Sequence, residues 1–334
     1  MLAVTAGQER ASKLELVAQL LFGLGLHGAE PQLVASPSRT EYRNRIRLRI
    51  DEHSHVAFFN SDKSPSCAVL TPALREYVNH LRELSHANPR AFASCAHLEA
   101  RTRDNDGKLG LFLTERPQFT ISAEALAELA LSYSNQTITT NTGATTPSQR
   151  FSIDATTYQR VPLDGFLQVN FAVNQQLTQH VVNKAKARDL RTFADLYCGS
   201  GNFALPLGHA GLSGLGVERV QSSITCAQIA AREQGLVDVH FEPGDSIEVV
   251  KSYSKSAAKF DFVLIDPPRA GVRVGLDAIA ELARKSIAYC SCNPETLERD
   301  VAFLITLGWN VDRVTAFDMF PGTRHLEVVV WLSR

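Results

Sequence analysis

The stretch Phe193-Ala-Asp-Leu-Tyr-Cys-Gly-Ser-Gly-Asn-Phe-Ala-Leu-Pro-Leu207 limits what this chain can fold into more than any other. An apolar run closes on Asp195, the small-residue turn Tyr197–Asn202 follows, and the apolar residues beyond it can open a helix. That order predicts strand, loop and helix, with Gly199 and Gly201 letting backbone approach a ligand at the helix N-terminus. Glu218 ends the next apolar run, about 20 residues on, where an acid meets the hydroxyls of a ribose. The turn is not the GxGxxG of a dinucleotide site. Its Asp-x-x-x-Gly-x-Gly spacing suits a single adenosine-type cofactor better, although an ordinary strand-to-helix turn would read similarly.

The rest of the chain supplies context for that turn. Strands are expected at 192–197, 213–217, 238–242, 260–265 and 286–291, alternating with helices. The pair 309–318 and 325–333 is expected to run antiparallel at one edge, after a helix over 294–307 with Leu297, Val301 and Leu304 on one face. The fold class is therefore α/β: a doubly wound, mostly parallel sheet with an antiparallel edge strand, whose ligands bind outside the carboxyl ends of the strands. The pattern changes near residues 152–162, which predicts an N-terminal α+β domain over 1–158 and the α/β domain over 159–334. In the first part helices are expected at 13–26, 72–84 and 121–133, with 134–148 as a loop or weak strands. In Arg43-Asn-Arg-Ile-Arg-Leu-Arg-Ile50 arginine alternates with mostly apolar residues, so a strand there would set four guanidiniums on one face. Such a row can hold phosphates or simply face solvent.

Composition removes several classes of function. The net charge is −1, so any nucleic-acid surface must be local. The six cysteines, at 67, 95, 198, 226, 290 and 292, show neither zinc nor iron–sulfur spacing nor a disulfide framework. No metal is expected, and a reducing cytoplasm suits the chain. The apolar segment 16–26 is too short to span a membrane and lacks a basic front, so neither a span nor a signal peptide is expected.

Chemistry-bearing residues gather at the predicted strand ends. Asp245, just after the third strand, can read an adenine amino group or simply cap a turn. Asp266-Pro-Pro-Arg269 sets a carboxylate on a stiff loop, and its arginine suits a phosphate or base-edge contact. Cys292 ends a strand just before a helix N-terminus, where the helix dipole favours thiolate and makes the sulfur a candidate nucleophile. Cys290 should share its face but lie deeper, as packing. Glu327 leads into Val328-Val-Val-Trp-Leu332. A carboxylate at the head of a buried strand can have a raised pKa and act as a base, or it can close a salt bridge.

Assembled in order, these residues resemble the RNA uracil-C5 methyltransferases, which make 5-methyluridine. The resemblance rests on Phe166-Leu-Gln-Val-Asn170, Leu196-Tyr-Cys-Gly-Ser-Gly-Asn-Phe203, Asp266-Pro-Pro-Arg-Ala-Gly271, Ser291-Cys-Asn-Pro-Glu-Thr296 and Phe320-Pro-Gly-Thr-Arg-His-Leu-Glu327. It implies a class I Rossmann-like methyltransferase sheet and S-adenosyl-L-methionine as cofactor. By the same resemblance Gln168, Tyr197, Asn202, Glu218 and Asp266 would contact that cofactor, beside Gly199, Gly201 and Asp245. Cys292 would add to uracil C6, and Glu327 would remove the C5 proton so that elimination frees the thiol. The segment from Ser36 to Arg45 is similar to the family's basic segment, which assigns Arg43, Arg45 and Arg47, with Arg269, to RNA. The four-cysteine cluster and N-terminal barrel of several rRNA-directed members are missing from this sequence, which leaves the layout of the tRNA T-loop enzyme. The expectation is a cytoplasmic monomer without iron–sulfur cluster or membrane contact, acting on tRNA in preference to rRNA. Gly322 departs from the larger polar or aromatic residue usual in the family. The rivals are the same chemistry on a 23S-type rRNA uridine, an RNA-binding or folding factor whose turnover is dispensable, and, more weakly, a nicotinamide oxidoreductase.

Overall fold

Phe193, Ala194, Asp195 and Leu196 leave no polar alternation for a solvated face, so a strand made of them has to be covered on both sides. In the computed structural model, which describes residues 5–59, 67–103, 108–133, 136–142, 147–255 and 259–334, all four are buried. Thr192–Leu196 lies inside an eight-stranded sheet ordered Leu33–Val34, Asn310–Phe317, Glu327–Ser333, Ala283–Ser291, Phe260–Ile265, Thr192–Leu196, Ser213–Glu218, Val239–Pro243. Glu327–Ser333 is antiparallel to both of its neighbours, and the other pairings are parallel.

The antiparallel pair was expected at an edge, yet Glu327–Ser333 is internal and the two-residue strand Leu33–Val34 forms the border. The reason is burial. Val328 to Leu332 are all 1% exposed or less, and a strand without a wet face needs a hydrogen-bonding neighbour on each side. The other strand ends agree with the expected ones within a residue or so, except that Ala283–Ser291 starts earlier.

The described chain forms two compact units, one of Met1–Pro37, Ile153–Gln159 and Ala172–Arg334, the other of Ser38–Ser152 and Arg160–Phe171. This division differs from a single boundary near residue 158. The N-terminal helix, Ala6–Gly23, sends Val17, Leu20 and Leu21 into the same core as Leu297, Val301 and Leu304. It also starts earlier than residue 13, because Thr5 and Gln8 form a capping box ahead of the apolar positions.

The second unit is α+β, as expected. Its sheet runs Val56–Ala57, Arg45–Ile50, Cys95–Thr102, Leu109–Glu115, Gln136–Thr140. Helices Pro72–Ala87 and Ala123–Ser132 contribute Leu74, Tyr77, Leu81 and Leu129 to its core. Residues 134, 135 and 143–146 of the expected loop lie outside the described residues, and Gln136–Thr140 is a strand. The arginine strand starts at Arg45, so three guanidiniums rather than four share its polar face, opposite buried Ile46, Leu48 and Ile50. Arg43 instead makes isolated bridges with Leu70 and Asn170. Among the described residues, no helix is long and apolar enough to cross a membrane, and no group of three or more His, Cys, Asp or Glu could hold a metal ion.

Candidate active site

The turn after Thr192–Leu196 reverses by using left-handed backbone three times, at Tyr197 (φ 63°), Gly199 (φ 55°) and Gly201 (φ 88°). At Tyr197 this conformation costs roughly 1–2 kcal/mol. Its N–H donates to Ser246 Oγ at 3.2 Å, which helps to hold it. A Cβ on Gly201 would come within 3.0 Å of Leu205, whereas above Gly199 there is open space. Glu218 faces this turn from the next strand end. Its carboxylate accepts from Gly199 N at 3.3 Å and Val220 N at 2.9 Å. Asn202 and Asn174 exchange reciprocal amide hydrogen bonds of 3.0 and 2.8 Å.

Asp195 ties the strand to the following short helix, Ala204–His209, by accepting from Ala204 N at 3.0 Å. It is fully buried, and its Oδ1 has no partner among the described residues. Burial, with the charges of Asp266 and Glu218, pushes its pKa well above the usual carboxylate range. Glu218, facing the open backbone at Gly199, can accept from the hydroxyls of an adenosine ribose. The residues present therefore fit S-adenosyl-L-methionine. Asp245, in contrast, is exposed and caps the helix Ser246–Lys255, accepting from Ile247 N at 3.0 Å and Glu248 N at 3.3 Å.

The second half of the site is built by the antiparallel ladder. The ladder ends where Ser291 pairs with Val328, so Cys292 lies one residue beyond it and Glu327 one residue before it on the partner strand. Glu327 is buried, and burial together with the charge of Asp266 raises its pKa well above the ordinary value, with Arg269 opposing. Burial pushes Asp266 itself up to about 7. Cys292 is half-buried, just before Asn293, whose side chain caps the helix Pro294–Thr306. Burial and Glu327 push its thiol up, while a hydrogen bond from Arg269 and that guanidinium's charge pull it down. The helix N-terminus, expected to favour thiolate, lies against this raised thiol from the other side. Cys290 is fully buried and packs in the core, as expected.

The Asp266–Arg269 loop is clamped to the Cys292 loop. Arg269 O accepts from Asn293 Nδ2 at 3.0 Å and Thr296 Oγ1 at 3.1 Å, and Arg299 donates to Ala270 O at 3.1 Å. Behind them Asp300, 1% exposed, accepts from Val272 N at 2.8 Å and Tyr289 Oη at 2.6 Å. A Cβ on Gly271 would lie 2.5 Å from Asp300 Oδ2, so the loop closes only with glycine there. Sequence reasoning missed Asp300 and Tyr289. The available signal was an acid on the same helical face as Leu297, Val301 and Leu304.

Gln168, Arg43, Arg45 and Arg47 belong to the second unit. The Gln168 carbonyl accepts from Asn44 Nδ2 at 3.0 Å. Arg45 meets Glu99 at 2.7 Å, Arg43 donates to Arg45 O at 2.9 Å, and exposed Arg47 meets His97 Nε2 at 2.6 Å. The guanidinium of Arg45 lies 5.6 Å from the Phe166 ring and that of Arg47 6.0 Å from Phe59.

A family model described as tRNA (uracil-5-)-methyltransferase matches residues 147–334. The chain is 36% identical over 271 residues to the 23S rRNA (uracil(1939)-C(5))-methyltransferase RlmD of Edwardsiella ictaluri, covering 78% of this chain and 60% of that protein. It is 30% identical over 318 residues to RlmD of Erwinia tasmaniensis, covering 88% and 70%. The chain thus spans less than two thirds of the Edwardsiella relative. The crystal structure of Pyrococcus abyssi tRNA (uracil-54, C5)-methyltransferase in complex with S-adenosyl-L-homocysteine shares the fold, with a TM-score of 0.75 at 23% identity over 96% of this chain and 83% of that one.

Proposed function

The chain belongs to the tRNA (uracil-5-)-methyltransferase family, and from that premise we propose that it methylates C5 of a uridine in 23S rRNA. The observation that carries the chemistry is that Cys292 and Glu327 flank the last pair of the antiparallel ladder, Ser291 and Val328, close enough for Glu327 and Asp266 to act on the thiol. The preference for rRNA is supported by relatives at 30% identity or more whose names specify 23S rRNA. It replaces the tRNA expectation, which rested on the missing four-cysteine cluster. The tRNA enzyme of known structure, at 23% identity, speaks for the fold alone.

Carbon 5 of uracil is a weak nucleophile. Cys292 adds to C6 as the thiolate, its proton passing to water; the C–S bond forms and the electron pair of the C5–C6 double bond moves into an enolate, so that C5 becomes nucleophilic. S-adenosyl-L-methionine, when bound at the glycine turn, supplies an electrophilic methyl group for that carbon. Tyr197, Gly199, Gly201, Asn202, Glu218 and Asp266 would hold it, with Gln168 and Asp245 as further contacts. Arg269 stabilises the sulfur anion both before addition and on departure. Glu327 takes the remaining proton from C5, the C5–C6 double bond re-forms and the C–S bond breaks. The raised basicity of a buried carboxylate suits this step. Neither ring carbon is accessible in a stacked base, so the uridine must be turned out of its helix or loop. Arg269 near the sulfur, and Arg43, Arg45 and Arg47 on the second unit, are the proposed RNA contacts.

The test is transfer of labelled methyl from S-adenosyl-L-methionine to 23S rRNA and, separately, to tRNA, each isolated without the modification. Label recovered as 5-methyluridine in 23S rRNA is the expected result. Label in tRNA alone would restore the T-loop substrate, and label in neither, with the cofactor bound, would favour an RNA-binding role.

A further inference from the structure

Glu327 is reached through the loop 318–326, which joins the strands Asn310–Phe317 and Glu327–Ser333. That loop is held by the N-terminal helix, an element to which the chemistry gives no part. Lys13 lies on the buried face of Ala6–Gly23 with Val17, Leu20 and Leu21, and is itself only 1% exposed. Its ammonium meets Asp318 Oδ1 at 2.6 Å, Glu9 Oε1 at 2.6 Å and Phe320 O at 3.3 Å. A buried ammonium uses its three donors in this way because an unpaired one would be too costly to keep charged. The same Glu9 Oε1 accepts from Gly322 N at 2.7 Å. Gly322 is at φ 82°, which accounts for a glycine at this position: the left-handed turn aims its N–H at Glu9. Thr323 closes the turn by donating to Phe320 O at 2.8 Å. Burial of His325, two residues before the base, disfavours its protonation, as do the charges of Arg269, Arg324 and, least, Lys13.

Three bonds from one helix therefore hold the first half of the loop that delivers the base, at Asp318, Phe320 and Gly322. We propose that Lys13, supported by Glu9, is a positioning residue: it holds the loop 318–326 so that Glu327 stays close to Cys292, and so governs elimination rather than addition. The inference rests on the methyltransferase reading given above. Its consequence is specific. Loosening the loop leaves Cys292, Arg269 and the cofactor turn intact, so the covalent RNA adduct still forms but resolves slowly.

The experiment combines two readouts on Lys13→Met and Glu9→Ala. Hydrogen exchange of the free protein should show amides of 318–326 exchanging at least ten times faster in Lys13→Met, with the helix Ala6–Gly23 and strand Ala283–Ser291 still protected. With 23S rRNA and S-adenosyl-L-methionine, Lys13→Met should lower product formation about 10- to 100-fold, the range for a catalytic group displaced by about 1 Å. KM for the RNA should fall in step with kcat, leaving kcat/KM within about 2-fold of the wild type, and the adduct should accumulate. Glu9→Ala, which keeps the Lys13–Asp318 pair, should give a smaller effect of the same kind. The inference is overturned by unchanged loop exchange, by exchange that rises throughout the molecule, or by lost product without accumulated adduct. If the wild type forms neither product nor adduct on any RNA, the methyltransferase reading fails instead, and the exchange data still decide whether Lys13 anchors the loop.

Discussion

Two strands carry the most conspicuous charge in this chain, and they use it differently. Arg45–Ile50 presents three arginines on a polar face, but Arg45 is committed to Glu99 and Arg47 to His97. Glu327–Ser333 carries one carboxylate, buried near Asp266 and a cysteine, with its pKa pushed up. The row is paired within its own sheet, whereas the single acid is held in a raised-pKa state that suits the base role proposed for it. Charge that has been neutralised by partners speaks of folding; charge kept buried without a full partner speaks of chemistry.

The sharpest way to break this comparison is to exchange the expected losses. Cys292→Ala should abolish both product and adduct, a loss of at least about 10³-fold in rate, on the scale of removing a catalytic nucleophile. Arg47→Ala should leave the rate at saturating RNA near that of the wild type. Comparable losses would place the arginine row in the catalytic machinery.

Next in size is the clamp behind the site. Asp300→Ala strands the buried N–H of Val272 and the Tyr289 hydroxyl, a cost of about 2–6 kcal/mol at roughly 1–3 kcal/mol for each unsatisfied group. Thermal melting should report it as a clear drop in Tm, with activity falling further than the folded fraction because the Arg269 loop loosens. A melting point within a degree of the wild type would remove Asp300 from the account.

A pH effect of intermediate size sharpens the carboxylate side. Asp266 has its pKa raised from 3.8 to about 7, so the folded protein holds that proton more tightly than the unfolded chain. Its contribution to stability is complete below the unfolded pKa and is lost as pH rises through about 7. Asp266→Asn should therefore gain stability relative to the wild type between pH 5 and pH 8, measured by urea unfolding. No change in the difference would mean that the carboxyl titrates as an ordinary one.

The smallest effect belongs to the arginine row. If exposed Arg47 contacts a phosphate, Arg47→Ala should weaken RNA binding by about 1 kcal/mol and lower the salt slope by about 1. An unchanged slope would leave this strand face to solvent and to its neighbours.

The fold was largely legible because Phe193–Leu196, Phe260–Ile265 and Val328–Leu332 are apolar without alternation, which only a covered sheet can satisfy. The glycine turn, Cys292 and Glu327 could be read as well, since each ends or begins such a run. Other features depended on partners distant in sequence. Lys13 reads as a surface lysine until Asp318, 305 residues away, is found beside it. Asp300 reads as a helix charge until Tyr289 and Val272 are seen to converge on it. The environment of Cys292 was hidden for a related reason: the helix N-terminus is local, whereas Glu327 and Asp266, which push its thiol up, arrive from other strands. The N-terminal helix likewise shows its apolar stripe in sequence, but not which core will accept it.

The account turns on one pair of residues, and one measurement tests it most directly. Glu327→Gln and Glu327→Gln/Cys292→Ala would each be incubated with 23S rRNA and S-adenosyl-L-methionine, and the protein analysed by denaturing gel and intact mass. The account predicts a stable covalent RNA–protein adduct for the single variant, carrying the transferred methyl, and none for the double variant. Normal turnover without adduct in Glu327→Gln, or an adduct that survives loss of Cys292, would contradict it.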